Sequence, residues 1–302
     1  HYPHDSQRSG DLPGVAIYNV YEDRQGIIWI GTNNGLAKYD AGSQRFISYQ
    51  ETGDEAGLLD GSVTDIVQTR DGMIWVATFS GGVSQLDPAT GVFKHYISDP
   101  RVSGKLSNNS VLALHEDSAG ALWLGTAGGG LNRYNPEEDS FTAFTDRDGL
   151  PNNVVYGILE DQEGQLWLST NLGITRFRPA TGTTTNYTTA DGLQSNEFNM
   201  GAFAEDSDGR MYFGGVNGFN IFKPEEVVAN SFVPLLGLVS VTQNGKAVST
   251  ETPPEKLKEI TLRYPDNSFE FEFAALSYSQ VDKNHYAYML EGVDDEWFFA
   301  GS

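Results

Sequence analysis

Cysteine is absent from the 302 residues. That excludes a disulfide scaffold and any thiolate metal site, and it leaves the compartment open, because a disulfide-free chain can live anywhere. Basic residues are scarce: 19 Lys and Arg stand against 41 Asp and Glu, for a net charge of −22. No compact basic stripe interrupts this acidity, so nucleic acid is a poor candidate partner and an anionic membrane face is disfavoured. Long apolar runs are missing too. None approaches the ~20 residues of a membrane helix, and no secretory signal is present. The chain starts at His1 without Met and stops at Gly301-Ser302. It is expected to be an internal piece of something longer, so absent targeting signals carry no weight.

What is abundant is Gly, 34 residues, with aromatics at 12% and apolar residues at 39%. A disordered chain would be poorer in both of the last two, which points to a folded, turn-rich, β-leaning protein. Four tryptophans sit in matching strings: Ile27-Ile28-Trp29-Ile30-Gly31-Thr32, Met73-Ile74-Trp75-Val76-Ala77-Thr78, Ala121-Leu122-Trp123-Leu124-Gly125-Thr126 and Gln165-Leu166-Trp167-Leu168-Ser169-Thr170. A fifth copy, Arg210-Met211-Tyr212-Phe213-Gly214-Gly215, puts Tyr212 in the Trp slot. The spacings of 46, 48, 44 and 45 residues suit propeller blades and also HEAT-type helical repeats. The local pattern decides. Short apolar or alternating runs are cut by Gly and Asn, and no 3.6-residue stripe is long enough for a helix.

Each unit reads as four strands. An innermost strand (Ile17–Tyr21, Thr64–Val67, Val111–Leu114, Val154–Leu159, Met200–Ala204) runs into an Asp-x-x-Gly turn at Asp23, Asp117, Asp161 and Asp206. The second unit departs, with Thr69 in the Asp slot. Asp bonds backbone N–H groups two residues on, and Gly accepts positive φ, so this is hairpin chemistry. The Trp string is the second strand. A Gly-bearing turn and a third strand follow, and the fourth strand carries Phe46–Tyr49, Phe93–Tyr96, Phe141–Phe144 and Thr184–Tyr187. Such units, radially repeated, are propeller blades. His1-Tyr2 followed by Asp5 copies His95-Tyr96 followed by Asp99, so the chain is expected to start on a preceding blade's fourth strand. No fourth strand is expected after Pro224. From about Asn230 the period is lost. Val239–Val241 and Val248 flank an Asn244-Gly245 turn; Glu259–Leu262, Phe269–Phe273, Tyr286–Leu290 and Trp297–Phe299 read as further strands. The expected class is all-β, with propeller repeats over 1–229 and the N-terminal part of a β-sandwich over 230–302.

The unit Tyr156–Thr170 and its sisters resemble two-component regulator propeller repeats. The tail, from Asp266-Asn267-Ser268-Phe269 through Tyr286-Ala287-Tyr288 to Trp297, is similar to the tyrosine-rich immunoglobulin-like domain that follows those repeats. Together they cover nearly the whole chain. The resemblance implies the sensor ectodomain of a hybrid histidine kinase or related diguanylate cyclase: a seven-bladed propeller, here five blades, then the immunoglobulin-like sandwich. A membrane helix and a cytoplasmic output domain outside this chain would follow. It implies a periplasmic location, a homodimer formed through the parent protein, and an oligosaccharide or other small polar ligand. It brings no cofactor, no metal and no ligand-contacting residue. The alternative is a metal-dependent propeller lyase of the streptogramin-inactivating kind, which needs a catalytic His.

Candidate residues each have a plain structural reading. The Trp slots read as inter-blade core, since large aromatics dominate buried packing. One carboxylate per Asp-x-x-Gly turn is too few for Ca²⁺, which wants six to eight oxygens. His115, beside Glu116 and Asp117, has apolar equivalents in the sister units and reads as a strand end. The five histidines (His1, His4, His95, His115, His285) avoid the Asn-rich loops, which speaks against the lyase, and no catalytic constellation appears. The stronger signal is a rim. The loops that lead into the innermost strands carry Asn108, Asn109, Asn152, Asn153 and Asn196, while the turns between second and third strands carry Asn33, Asn34, Phe79, Asn171 and Asn217. In a blade these open on one side. Amides offer donor and acceptor to a neutral polyhydroxyl ligand, yet Asn is also a turn residue. Both roles are open for this set.

Overall fold

The computed structural model describes residues 10–52, 54, 56–227, 235–248, 252–257, 259–261, 268–276 and 286–300. Contacts divide the chain into two units, His1–Val227 and Val228–Ser302. In the first unit, four antiparallel sheets of four strands follow one another. Blade 1 is β1 (Ile17–Glu22), β2 (Ile28–Thr32), β3 (Gly35–Asp40) and β4 (Arg45–Tyr49). Blade 2 is β5 (Val63–Gln68), β6 (Ile74–Thr78), β7 (Val83–Leu86) and β8 (Phe93–Tyr96). Blade 3 is β9 (Val111–Glu116), β10 (Leu122–Thr126), β11 (Leu131–Asn135) and β12 (Ser140–Phe144). Blade 4 is β13 (Val155–Glu160), β14 (Leu166–Thr170), β15 (Gly173–Arg178) and β16 (Thr183–Tyr187). Blade 5 has β17 (Phe198–Glu205), β18 (Met211–Gly215) and β19 (Gly218–Phe222), with no fourth strand among the described residues. The 44–48-residue spacing thus corresponds to one meander per unit, with all five Trp-slot residues on equivalent second strands.

The core lies between blades. Trp29 clusters with Val63, Ile66 and Val76 of blade 2; Trp75 with Val111, Leu114 and Leu124 of blade 3; Trp123 with Val155, Ile158 and Leu168 of blade 4; Trp167 with Phe198 and Phe213 of blade 5. All four indoles are at most 1% exposed. A sheet with two apolar faces can bury them only against its neighbours, which is why the repeat is the stable unit. The cross-strand partner of each Trp adds a cation in three blades: Lys38 over Trp29, Arg133 over Trp123 and Arg176 over Trp167, at 5.4, 5.8 and 5.7 Å.

The second unit pairs β20 (Leu235–Gln243) with β21 (Lys246–Ala247) across Asn244-Gly245, and β20 with β22 (Phe269–Leu276). β23 (Tyr286–Tyr288) and β24 (Phe298–Ala300) form a separate pair. Phe269, Phe271 and Phe273 stack along one face of β22, while Glu270 and Glu272 on the other face accept from Thr242 and Ser240. One strand expected from the sequence is corrected. Glu259–Thr261 is irregular, and Leu262 lies outside the described residues. Its alternation finds no partner strand among the described residues, and an unpaired strand leaves its backbone groups unbonded.

Candidate functional site

The rim is built from the ends of the second strands. Thr32, Thr78, Thr126 and Thr170 donate from Oγ1 to the carbonyls of Gly35, Gly82, Gly130 and Gly173, at 2.8–3.0 Å, and so close the turn to the third strand. Gly130 has φ +74°, and a Cβ there would collide with the Phe144 carbonyl of the adjoining fourth strand. The N–H of each of these glycines leaves its own blade. Gly82 donates to the Asn109 carbonyl (2.9 Å), Gly130 to Asn153 (2.8 Å), Gly173 to Asn196 (2.7 Å) and Gly35 to Gly61 (2.6 Å). Each turn is therefore clasped by the loop leading into the next blade, and both series of predicted residues meet on one face.

Their side chains have defined structural work. Asn109, Asn153 and Asn196 accept at Oδ1 from the backbone N–H of Ser98 (2.6 Å), Asp146 (2.8 Å) and Thr189 (2.9 Å), just past the fourth strands. Asn108 and Asn152 cap their own loops by accepting from Ser110 and Val154, both at 2.8 Å. Asn33 accepts from the Ala16 N–H (3.0 Å), Asn34 donates to the Pro13 carbonyl (2.9 Å), and Asn171 accepts from the Tyr156 hydroxyl (2.9 Å). Asn217 is held through its backbone N–H by Gln194 (3.0 Å). Phe79 has no such duty for its ring, which is 51% exposed. The amide oxygens of Asn33, Asn108, Asn109, Asn152, Asn153, Asn171 and Asn196 are thus turn and clasp groups. The Nδ2 donors of Asn33, Asn108, Asn109, Asn152, Asn153, Asn171, Asn196 and Asn217 bond to nothing among the described residues.

Sequence reasoning missed Asp60 on this rim. Its Oδ2 accepts from the N–H (2.7 Å) and hydroxyl (3.0 Å) of Ser80, and Oδ1 from Ser62 N–H (3.1 Å). The signal was present: Asp60-Gly61-Ser62-Val63 aligns with Asn108-Asn109-Ser110-Val111. One carboxylate therefore interrupts the amide series.

The opposite face is knitted differently. Oδ1 of Asp23, Asp117, Asp161 and Asp206 accepts from the N–H groups two and four residues on, and Oδ2 accepts from Trp29, Trp123, Trp167 or the Tyr212 hydroxyl. Thr69, which bonds Asp71 instead, places no carboxylate under Trp75. Residues at the ends of innermost strands reach back one blade: Gln68 accepts from Arg24 N–H (2.9 Å), Glu116 from Arg70 N–H (2.7 Å) and Glu160 from Ser118 N–H (2.7 Å). Arg24 adds an ion pair to Glu116 at 3.1 Å. His115, in β9, lies 3.5 Å from Glu160 through Nε2, and His95 bonds Ser84. His1, His4 and His285 lie outside the described residues. Among the described residues no three His, Asp or Glu side chains converge to hold a metal ion.

Concavity and predicted rim do not coincide. A groove of about 530 Å³ lies between Ala119–Ala121 and Arg133–Glu138, another of about 500 Å³ along Asp99–Ser107, and one of about 200 Å³ beside Trp167 and Phe222. None is lined by any of the ten rim residues.

Comparison with known proteins follows the repeat. A family described as "two component regulator propeller" matches residues 11–34, 57–80, 105–128 and 149–172, each segment running from a loop leading into an innermost strand to the turn after the second. Histidine kinase P4 of Formosa agariphila is 27% identical over 297 residues, covering 93% of this chain and 21% of its own length. The extracellular domain of a B. thetaiotaomicron protein described as a hybrid two component system, BT3049, superposes with a TM-score of 0.71 at 29% identity, over 94% of this chain and 38% of that one. A second such extracellular domain, BT4673 of the same organism, gives 0.59 at 22% identity over 95% of this chain and 52% of that one. The chain thus spans a fifth to a half of the length of these relatives. Segments of blades 1–4 thus match two component regulator propeller repeats, and the chain as a whole is similar to the extracellular domains of hybrid two-component systems.

Proposed function

We propose that this chain is part of the periplasmic, ligand-sensing region of a two-component-type receptor, and that its ligand is a neutral oligosaccharide or similar polyhydroxyl molecule. The observation that supports it most is the 29% identity to the BT3049 extracellular domain along 94% of the chain. The region is non-catalytic and reports ligand by changing how two protomers of the parent protein sit, with a kinase or cyclase as output. No helix among the described residues is long and apolar enough to cross a membrane; the anchor belongs to the parent protein.

The Nδ2 donors of the rim asparagines other than Asn34, and the open ring of Phe79, supply the ligand contacts. Sugar hydroxyls accept from the amides, and the ring stacks on a pyranose face. Each polar contact adds about 0.5–1.5 kcal/mol net, so affinity comes from several blades acting together. Calorimetry of the chain against neutral and uronic oligosaccharides tests the reading. Binding that weakens in Asn109→Asp with Asn153→Asp, which keep the Oδ1 acceptors but remove the donors, supports it. Binding that survives this change and is lost on altering Arg133 and Glu137 would move the site to the outer groove of blade 3. Turnover of a substrate would make the protein an enzyme and end the sensor reading.

A further inference from the structure

Four equivalent positions on the innermost strands, each opposite the residue two beyond the Trp-slot residue, carry Asn19, Asp65, Ala113 and Gly157. Only Asp65 is ionisable. Its residue is 8% exposed, and its carboxylate bonds in three directions. Oδ1 accepts from Asn19 Nδ2 in blade 1 (2.8 Å) and from its neighbour's Ile66 N–H (2.9 Å); Oδ2 accepts from Leu114 N–H in blade 3 (2.7 Å). One side chain thus ties three blades together. Thr64 beside it strengthens the blade 2–3 joint by donating to the Val111 carbonyl at 2.6 Å.

Among the described residues no cation pairs with this carboxylate. The strands packed on β5 are β1, β2, β6 and β9. Their ionisable groups are Tyr18, Tyr21 and Glu22 on β1 and His115 and Glu116 on β9, with none on β2 or β6. Glu116 is engaged by Arg24 and Arg70, and His115 faces Glu160. A buried charge without a counter-ion is costly even when hydrogen-bonded, and protonation relieves that cost. The partner is suited to either state, because an amide can donate or accept after a half-turn about its terminal bond. Asn19 Oδ1 is buried and has no hydrogen-bond partner, so a half-turn of the amide breaks no bond other than the one to Asp65.

We propose that Asp65 and Asn19 form a proton-operated clasp joining the innermost strands of blades 1, 2 and 3. In the ionised state Asn19 Nδ2 donates to Asp65. In the protonated state the Asp65 hydroxyl donates to a rotated Asn19 Oδ1, while Leu114 N–H keeps its bond to the other oxygen. Burial raises the Asp65 carboxyl to about 7 against the pull of the two backbone N–H bonds. An acid held above its unfolded value binds its proton more tightly in the folded chain. Its support for folding is therefore complete below the unfolded value of 3.8 and is withdrawn as pH rises through about 7.

The Leu114 backbone amide, which donates directly to Oδ2, reports the state of the clasp in the wild-type chain. Its nitrogen and proton shifts, followed by NMR from pH 4 to 9, are expected to titrate with a midpoint near 7. A midpoint near 4 would show a carboxylate ionised throughout and overturn the proposal. Asp65→Asn mimics the protonated state. Its melting temperature at pH 8 is expected to exceed wild type, with the difference shrinking as pH falls and vanishing only below the unfolded value of 3.8. A variant that is no more stable than wild type at pH 8 would likewise overturn it.

Discussion

Trp123 Nε1 donates to Asp117 Oδ2 at 2.7 Å, and both residues are at most 5% exposed. The same carboxylate shapes the hairpin through its other oxygen, accepting from Ala119 and Ala121 N–H. One aspartate therefore fixes the turn and satisfies the indole of the inter-blade core, six residues away in sequence. The arrangement recurs at Asp23–Trp29 and Asp161–Trp167, and with a hydroxyl in place of the indole at Asp206–Tyr212.

Trp123→Ala is expected to destabilise the chain by about 3–5 kcal/mol, as for large aromatics truncated in a core. Denaturant unfolding measures it. Full stability with a loss only of ligand binding would make the indole a binding platform instead.

Asp117→Ala strips partners from a buried indole and two turn N–H groups, each worth about 0.5–1.5 kcal/mol net. Thr69→Asp in blade 2 restores the missing carboxylate, and it is expected to raise the melting temperature if Trp75 can be reached as its sisters are. A fall in melting temperature would show that blade 2 has repacked around Thr69 and Asp71.

Asn153→Ala should cost about 1 kcal/mol, because Asp146 N–H loses its acceptor. Asn153→Asp keeps that acceptor and should stay within a few tenths of wild type. Equal losses in the two variants would mean that the Nδ2 donor, not Oδ1, carries the structural role.

Gly130→Ala combines a left-handed backbone with a clash on the Phe144 carbonyl. The conformational part alone costs about 1–2 kcal/mol, so the loss seen in thermal unfolding should exceed that of Gly72→Ala, where the added Cβ meets nothing. Comparable losses would show that the fourth strand shifts freely.

Lys94, Tyr96 and Tyr134 all donate to Oδ1 of Asp139, which joins blades 2 and 3 at their outer strands. The Lys94 ammonium and the two hydroxyls hold the Asp139 carboxyl at about 2, while burial and the Asp139 charge raise both tyrosines above their ordinary value. A depressed carboxylate stabilises the fold above its unfolded value and loses that contribution as pH falls through the folded one. Acid unfolding should therefore shift to higher pH in Asp139→Asn, with the difference from wild type fading between pH 4 and 2. A difference unchanged at pH 2 would assign the effect to turn geometry at its positive φ of 51°.

The sequence by itself determined the blade. Trp spacing, the Asp-x-x-Gly turns and Gly-bearing second turns are local signals, set within a few residues by side-chain period and turn chemistry, and all nineteen propeller strands follow them. Residues that close bonds within their own unit were legible for the same reason. The tertiary structure alone decided what happens between units some 45 residues apart. It turned the rim asparagines into clasps on a neighbour's backbone, sent Gln68, Glu116 and Glu160 back across one blade, and buried Asp65 among three. It also left Glu259–Thr261 irregular despite its alternation. Whether a polar side chain meets water, a ligand or another strand depends on which surface is brought against it. That is a property of packing, and no single repeat contains it.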